Sequence, residues 1–163
     1  MPIMNVEQPE ILNVDETLRL RKFDDNYAFA LDWYQDTELV WLVDGVKVPY
    51  TEEKLGRMYH YLDKQGELYF MEAMENGFWK PVGDVCLCKE DLPIVIGDPQ
   101  YRGKGVGAKV ITALIERGKS LGWKQMYVEE IYPYNIASQK CFEKSGFRVH
   151  TVRESGNRYV IDL

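Results

Sequence analysis

Apolar residues along the chain keep two rhythms, and the switches between them predict the elements. Thr17 to Phe23 alternates apolar and basic side chains, the period of a half-buried strand. Leu68–Ala73 and Phe78–Lys89 keep a β pattern around Asn76-Gly77, a strong hairpin signal. Leu92–Ile96 is a short apolar run that stops at Gly97-Asp98-Pro99. Val106, Val110, Ile111, Leu114 and Ile115 then recur at spacings of three and four, which predicts a helix ending near Gly118–Gly122. Trp123–Ile131 returns to alternation, and Ser138–Lys144 reads as a helix closed by Gly146. Phe147–Val152 and Arg158–Ile161 form a last hairpin turning at Ser155-Gly156-Asn157.

The first third is less regular. Met1 to Glu16, with Pro2 and Pro9, reads as an arm or a short extra strand. Asp24 and Asp25 are placed to cap a helix running to about Gln35, with Tyr27, Ala28, Leu31 and Tyr34 on one face. Leu39–Pro49 is ambiguous, holding an apolar Trp41-Leu42-Val43 and a turn at Asp44-Gly45. Thr51 is a good N-cap for a helix carrying Leu55, Met58, Tyr59 and Leu62 and ending by Gly66. Strands with interposed helices predict an α/β (α+β) fold, a mixed sheet with about four helices in one domain spanning 1–163.

The stretch Ile94–Gly107 organises the rest. A strand, a glycine-rich turn and a helix follow one another without a gap. That order aims backbone N–H groups and the positive end of a helix at one point, which suits an anion. Three ligands compete. A Walker A loop needs a Ser or Thr where Gly105 follows Lys104, and its first glycine is displaced. A dinucleotide fingerprint fits Gly103, Gly105 and Ala108, but it normally opens a long doubly wound domain, and here much of the β pattern comes before it. The third is the pyrophosphate of an acyl carrier such as coenzyme A.

Gln100-x-x-Gly103-x-Gly105 resembles the acetyl-CoA signature of the GNAT superfamily of N-acetyltransferases, and Asn135-Ile136-Ala137-Ser138 through Phe142-Glu143-Lys144-Ser145-Gly146-Phe147 is similar to a second block of that family. The likeness is strong from Pro81 onward and loose before it. It implies a mostly antiparallel mixed sheet, splayed between the Leu92–Ile96 and Lys124–Ile131 strands, with acetyl-CoA in the gap. It also implies carrier contacts for Ile94, Val95, Ile96, Gln100, Tyr101, Arg102, Gly103, Lys104, Gly105, Val106, Gly107, Asn135, Ser138 and Phe142. Asn135 also reads as a plain helix N-cap. A homodimer is common in the resembling family. The expected reaction is acetyl transfer to a primary amine of a small molecule, aminoglycoside-like or polyamine-like. The alternatives are a protein N-terminal acetyltransferase and a binding module that holds acyl-CoA without turnover.

Acyl transfer needs a polarised carbonyl, a neutral amine and a proton for the leaving thiolate. Many family members carry a tyrosine where this chain has Phe142, which has no proton to give. Tyr127, Tyr132 and Tyr134 are other hydroxyl candidates for the acid. For the base, Asp84, Asp91, Glu129 and Glu130 lie on or beside the cleft strands, and Asp91 and Glu129 are the favoured pair.

Composition narrows the partners. A net charge of −6 argues against nucleic acid and is compatible with a cationic acceptor. No apolar run is long enough for a membrane helix, and the N-terminus lacks the pattern of a signal peptide. Three cysteines, an odd number, suggest reduced thiols and a cytoplasmic setting. His60 and His150 have no neighbours at ligand spacing, so no metal is expected.

Overall fold

The computed structural model describes residues 3 and 5–163; positions 1, 2 and 4 of the N-terminal arm lie outside the described residues. Among the described residues eight strands make two sheets. β1 (Ile11–Asp15), β2 (Leu18–Lys22), β3 (Gly66–Glu75), β4 (Phe78–Cys88) and β5 (Ile94–Ile96) lie side by side in chain order, each antiparallel to the next. β6 (Gln125–Ile131), β7 (Arg148–Thr151) and β8 (Asn157–Asp162) form a second sheet with β8 in the middle. The four α-helices are α1 (Thr37–Asp44), α2 (Glu52–Gln65), α3 (Val106–Ser120) and α4 (Ile136–Lys144). Among the described residues no ladder joins β5 to β6, so the two sheets part between them, where the splay was expected.

The five-stranded sheet buries both faces. Tyr69, Met71, Val85 and Leu87 pack against Val110, Ile111 and Leu114 of α3 in one apolar cluster. Leu68, Phe70 and Cys86 pack on the other side against Tyr34, Leu39 and Tyr59, a cluster rich in aromatic rings. The β3–β4 hairpin turns at Asn76 and Gly77 with φ of 53° and 82°, the left-handed pair that a two-residue turn needs.

Two open readings are decided and one expectation changes. The N-terminal arm contributes a true strand, β1, paired to β2. Asp24 and Asp25 do not cap the helix after them. Asp24 accepts from the Asn26 N–H at 3.1 Å in a local turn, and Asp25 sits at φ 67°. The helix there is a 3-10 segment, Ala28–Gln35, with no side-chain cap. The ambiguous stretch is α1, and its ends explain why. Asp36 caps it by accepting from Glu38 N–H at 3.0 Å, and Gly45 closes it at φ 73° with its N–H on the Trp41 carbonyl. Such caps outweigh the weak helix propensity of Thr, Val and Trp.

Candidate functional site

β5 delivers the chain to Gly97, where the Trp33 indole lies so close that a Cβ would collide with it. Asp98 then caps a short 3-10 turn, Pro99–Tyr101, by accepting from Gln100 N–H at 2.9 Å, and Lys80 lies 3.0 Å from its other oxygen. The Tyr101 hydroxyl donates to Glu75 at 2.6 Å, which ties this turn to the β3–β4 hairpin. Gly103 and Gly105 follow at φ 70° and 83°. A Cβ on either would meet no atom within 4 Å. Glycine therefore serves the handedness of the backbone and leaves the main chain uncovered, rather than relieving a crowded contact. The first bond into α3 runs from Lys109 N–H to the Gly105 carbonyl at 3.2 Å. The N–H groups of Val106, Gly107 and Ala108 therefore stand without helical partners at the positive end of a 15-residue helix. Gln100, Arg102 and Lys104 are exposed around them.

Arg102 is a brace as well as a surface cation. It donates to the carbonyls of Ile96 at 3.0 Å and Gly97 at 3.2 Å, and it lies 3.5 Å from Asp36, the cap of α1. Beside it, Ile94, Val95 and Ile96 pair with β4 on one edge only. The other edge of β5 faces the parting of the sheets.

The two carboxylates favoured as base are both built into the seam between the sheets. Asp91 Oδ1 accepts from Leu92 N–H at 2.8 Å and from Glu129 N–H at 2.9 Å. Burial pushes its carboxyl above the usual range, against the pull of those two N–H groups. Glu129 is paired with Arg153 at 3.0 Å and lies 3.8 Å from Arg158, which also holds Glu90 at 2.8 Å. Glu130 accepts from Ser155 at 2.7 Å.

Across the gap, Asn135 is a helix cap. Its Oδ1 accepts from Ser138 N–H at 3.2 Å, and its Nδ2 donates to the Leu42 carbonyl of α1 at 3.4 Å. Trp41, Tyr134 and Tyr132 stack in sequence above it, with centroids 4.5 Å and 5.3 Å apart. Tyr134 donates to the Trp41 carbonyl and Tyr127 to Gln125, while Tyr132 makes no side-chain hydrogen bond among the described residues. Phe142 needs correcting as a carrier contact. It is 1% exposed and packs edge-on against Phe147 in the main core, so its ring has no surface to offer a ligand. Cys141, its neighbour, lies against Gly107, where α4 meets the start of α3.

One carboxylate gains importance from the structure. Asp84 on β4 is 2% exposed. Its Oδ2 accepts from Tyr34 at 2.7 Å and from Tyr59 at 2.8 Å. Burial pushes its carboxyl up to about 6, against the downward pull of the two hydroxyls. In the sequence it was one of four acids near the cleft. Nothing in the spacing showed that Tyr34 and Tyr59, 50 and 25 positions away, would converge on it.

A family model described as the acetyltransferase (GNAT) family matches residues 23–147, further toward the N-terminus than the motifs alone reach. The uncharacterized N-acetyltransferase YobR of Bacillus subtilis (strain 168) is 23% identical over 132 residues, 78% of this chain and 53% of that protein. The chain thus spans about half the length of the curated relative it matches. Among solved structures, a domain from Methanocaldococcus jannaschii DSM 2661 superposes with a TM-score of 0.80 at 22% identity, over 91% of this chain and all of that one. The aminoglycoside acetyltransferase AAC(6')-Ib, solved with coenzyme A, superposes with a TM-score of 0.72 at 19% identity, over 90% and 95% of the two chains. These likenesses establish the shared fold, and the family match, which takes in well over half of the sequence, establishes that the chain belongs to the acetyltransferase (GNAT) family.

Proposed function

We propose that this chain is an acetyl-CoA-dependent N-acetyltransferase whose acceptor is a primary amine on a small cationic molecule. The observation that carries the reading is the open backbone at Gly103 and Gly105, followed by the unpartnered N–H groups of Val106, Gly107 and Ala108 at the head of α3, beside the free edge of β5. Pyrophosphate suits the first feature, because several N–H groups and a helix dipole converge there. An extended pantetheine arm suits the second, because the free edge of a strand offers unpaired backbone groups.

Acetyl-CoA supplies an activated thioester. The chain's residues do the rest. Gly103, Lys104, Gly105, Val106 and Gly107 hold the phosphates through backbone N–H groups, with Arg102 and Lys104 adding charge and Gln100 at the rim. Ile94, Val95 and Ile96 pair with the arm, and a backbone N–H of that strand polarises the thioester carbonyl as it gains negative charge. Ser138, in the first turn of α4, completes the carrier side. Asp91, Glu129 and Asn135 keep the two arms of the gap at a fixed separation. Phe142 supplies no acid, so the second proton of the amine nitrogen ends on the thiolate, releasing coenzyme A as the thiol.

The acidic balance of the chain favours a cationic acceptor by steering. The aminoglycoside enzyme supports the small-molecule class. The test is thiol release from acetyl-CoA with spermidine, an aminoglycoside and a peptide with a free N-terminus. Turnover with either small amine above the peptide is expected. Turnover with the peptide alone would move the acceptor class to protein N-termini. Tight acetyl-CoA binding without turnover on any amine would leave a binding module.

A further inference from the structure

α1 is attached to both sides of the parting between the sheets, and its two attachments differ in kind. Near its C-terminal end Trp41 stacks on Tyr134, with centroids 4.5 Å apart. The Trp41 carbonyl accepts from the Tyr134 hydroxyl at 3.0 Å, and the Leu42 carbonyl accepts from Asn135 at 3.4 Å. Those contacts reach the connection between β6 and α4. At its N-terminal end the attachment is its cap, Asp36, which lies 3.5 Å from Arg102 in the loop after β5. The two side chains are 37% and 38% exposed. The first attachment is aromatic packing with hydrogen bonds to backbone. The second is a long, solvated ion pair, which is weak and readily exchanged.

Asp36 divides its oxygens between two tasks. Oδ1 accepts from Glu38 N–H at 3.0 Å and from Leu39 N–H at 3.4 Å, which starts α1. Oδ2 is the atom that meets Arg102 Nη1. Arg102 uses its other nitrogens on backbone: Nε donates to the Ile96 carbonyl at 3.0 Å and Nη2 to the Gly97 carbonyl at 3.2 Å. The direction of the Ile96 carbonyl matters. The Pro93 carbonyl accepts from Cys86 N–H, and Gly97 N–H donates to the Val82 carbonyl, so both residues turn these groups to β4. By the alternation of an antiparallel ladder, Ile94 and Ile96 turn theirs to the free edge of β5. Arg102 therefore covers the free-edge carbonyl closest to the glycine loop. Its neighbour in sequence is Gly103, the first of the two open glycines. One guanidinium thus stands among an exposed carboxylate, an edge carbonyl and the anion site.

We propose that Arg102 is a clasp: it trades Asp36 and the Ile96 carbonyl for the carrier's phosphates, and so uncovers the β5 edge and releases the N-terminal end of α1. The inference rests on the acetyl-transfer reading and couples the two sides of that site. A guanidinium on phosphate makes short, charge-assisted, two-pronged hydrogen bonds. Those outweigh two neutral carbonyls and a solvated pair at 3.5 Å. Arg102 keeps its charge throughout, so the exchange moves no proton. Asp36 keeps Oδ1 on the Glu38 and Leu39 N–H groups, so α1 stays capped while it loses its tie to the β5 side. The Ile96 carbonyl becomes available to an amide N–H of the pantetheine arm. α1, then held from the β6 side alone, is free to make way for the acceptor, so the carrier binds first.

The test is titration of acetyl-CoA into the whole chain, as parent, Asp36→Asn, Arg102→Met and the double variant. Asparagine keeps an oxygen for the cap and loses the charge that holds Arg102. Asp36→Asn should bind acetyl-CoA about threefold tighter, the worth of the competing pair. Arg102→Met should bind about tenfold more weakly. Adding Asp36→Asn to Arg102→Met should then change affinity by less than about 1.5-fold, because the two side chains act through each other. Arg102→Lys, which keeps the charge but loses the fork, should fall between parent and Arg102→Met. Hydrogen exchange gives a second readout. Saturating acetyl-CoA should speed exchange about threefold at Val40, whose N–H bonds the Asp36 carbonyl, and should leave it unchanged in Asp36→Asn. Asp36→Asn that binds no tighter than the parent, or tighter by the same factor in the Arg102→Met background, would overturn the inference and leave the carrier site standing. So would slower exchange at Val40 on adding acetyl-CoA. A folded parent that takes up no acetyl-CoA would overturn the acetyl-transfer reading and the inference with it.

Discussion

Glu67 and Asp84 sit in neighbouring strands of one sheet, both buried, on opposite faces. Glu67 faces α3, where Arg117 grips both its oxygens at 3.0 Å and 2.7 Å and Tyr69 donates at 2.8 Å. Asp84 faces α2 and receives hydroxyls alone. The first is a closed polar unit inside an apolar cluster, and its work is to fix α3 on the sheet. The second has no positive charge beside it among the described residues. The difference teaches where to look for chemistry: a satisfied buried carboxylate is architecture, and an unmatched one beside a free strand edge is a candidate for function.

The sharpest way to break this comparison is to neutralise each acid. Glu67→Gln leaves the Arg117 guanidinium, 17% exposed, without its charge partner. It should cost about 3 kcal/mol, as breaking one side of a buried pair does. Chemical denaturation at pH 7.5 checks it, and a loss under 1 kcal/mol would put Glu67 in the same class as Asp84.

Asp84→Asn should act in the opposite direction. The folded value of about 6 lies above the unfolded 3.8. Asp84 therefore favours the fold fully below the unfolded value, and that contribution is lost as pH rises through about 6. The parent should lose stability of the order of 2–3 kcal/mol between pH 4 and pH 8 from this residue alone. The asparagine variant should lack that slope and melt at or above the parent temperature at pH 8. An unchanged slope would mean that another group carries it.

Asn135→Ala supplies the smallest effect and a reference for an ordinary structural residue. Loss of the Ser138 cap and the Leu42 contact should cost about 1 kcal/mol, at all pH values alike. A strong pH dependence there would show that the β6–α4 connection is coupled to a titrating group.

Much of this was legible in the sequence because it is local. Thr51 caps α2 by accepting from Lys54 N–H at 3.1 Å, Asn76-Gly77 turns the hairpin, and Gly103 and Gly105 take positive φ at the head of α3. Each depends on residues within a few positions of one another. What was not legible depends on distant partners. Asp91 read as a base from its place beside the cleft, but its oxygen is taken by Glu129, 38 positions on. Phe142 lies in a motif that resembles a carrier-side block of the family, yet its ring turns into the core. Asp24 and Asp25 had the right chemistry for a cap, but a left-handed Asp25 starts a turn before the helix can begin. Asp84 stood among four candidate acids in the sequence, and only the folded chain brings Tyr34 and Tyr59 onto it.

Isothermal titration of acetyl-CoA into the parent and into the Gly103→Trp/Gly105→Trp double variant addresses the central claim most directly. The account predicts micromolar binding by the parent, about −8 kcal/mol, and its loss in a variant that still melts cooperatively, because bulky side chains would cover the backbone N–H groups and strain two left-handed positions. A folded parent that takes up no acetyl-CoA, or a double variant that binds it as tightly as the parent, would contradict the account.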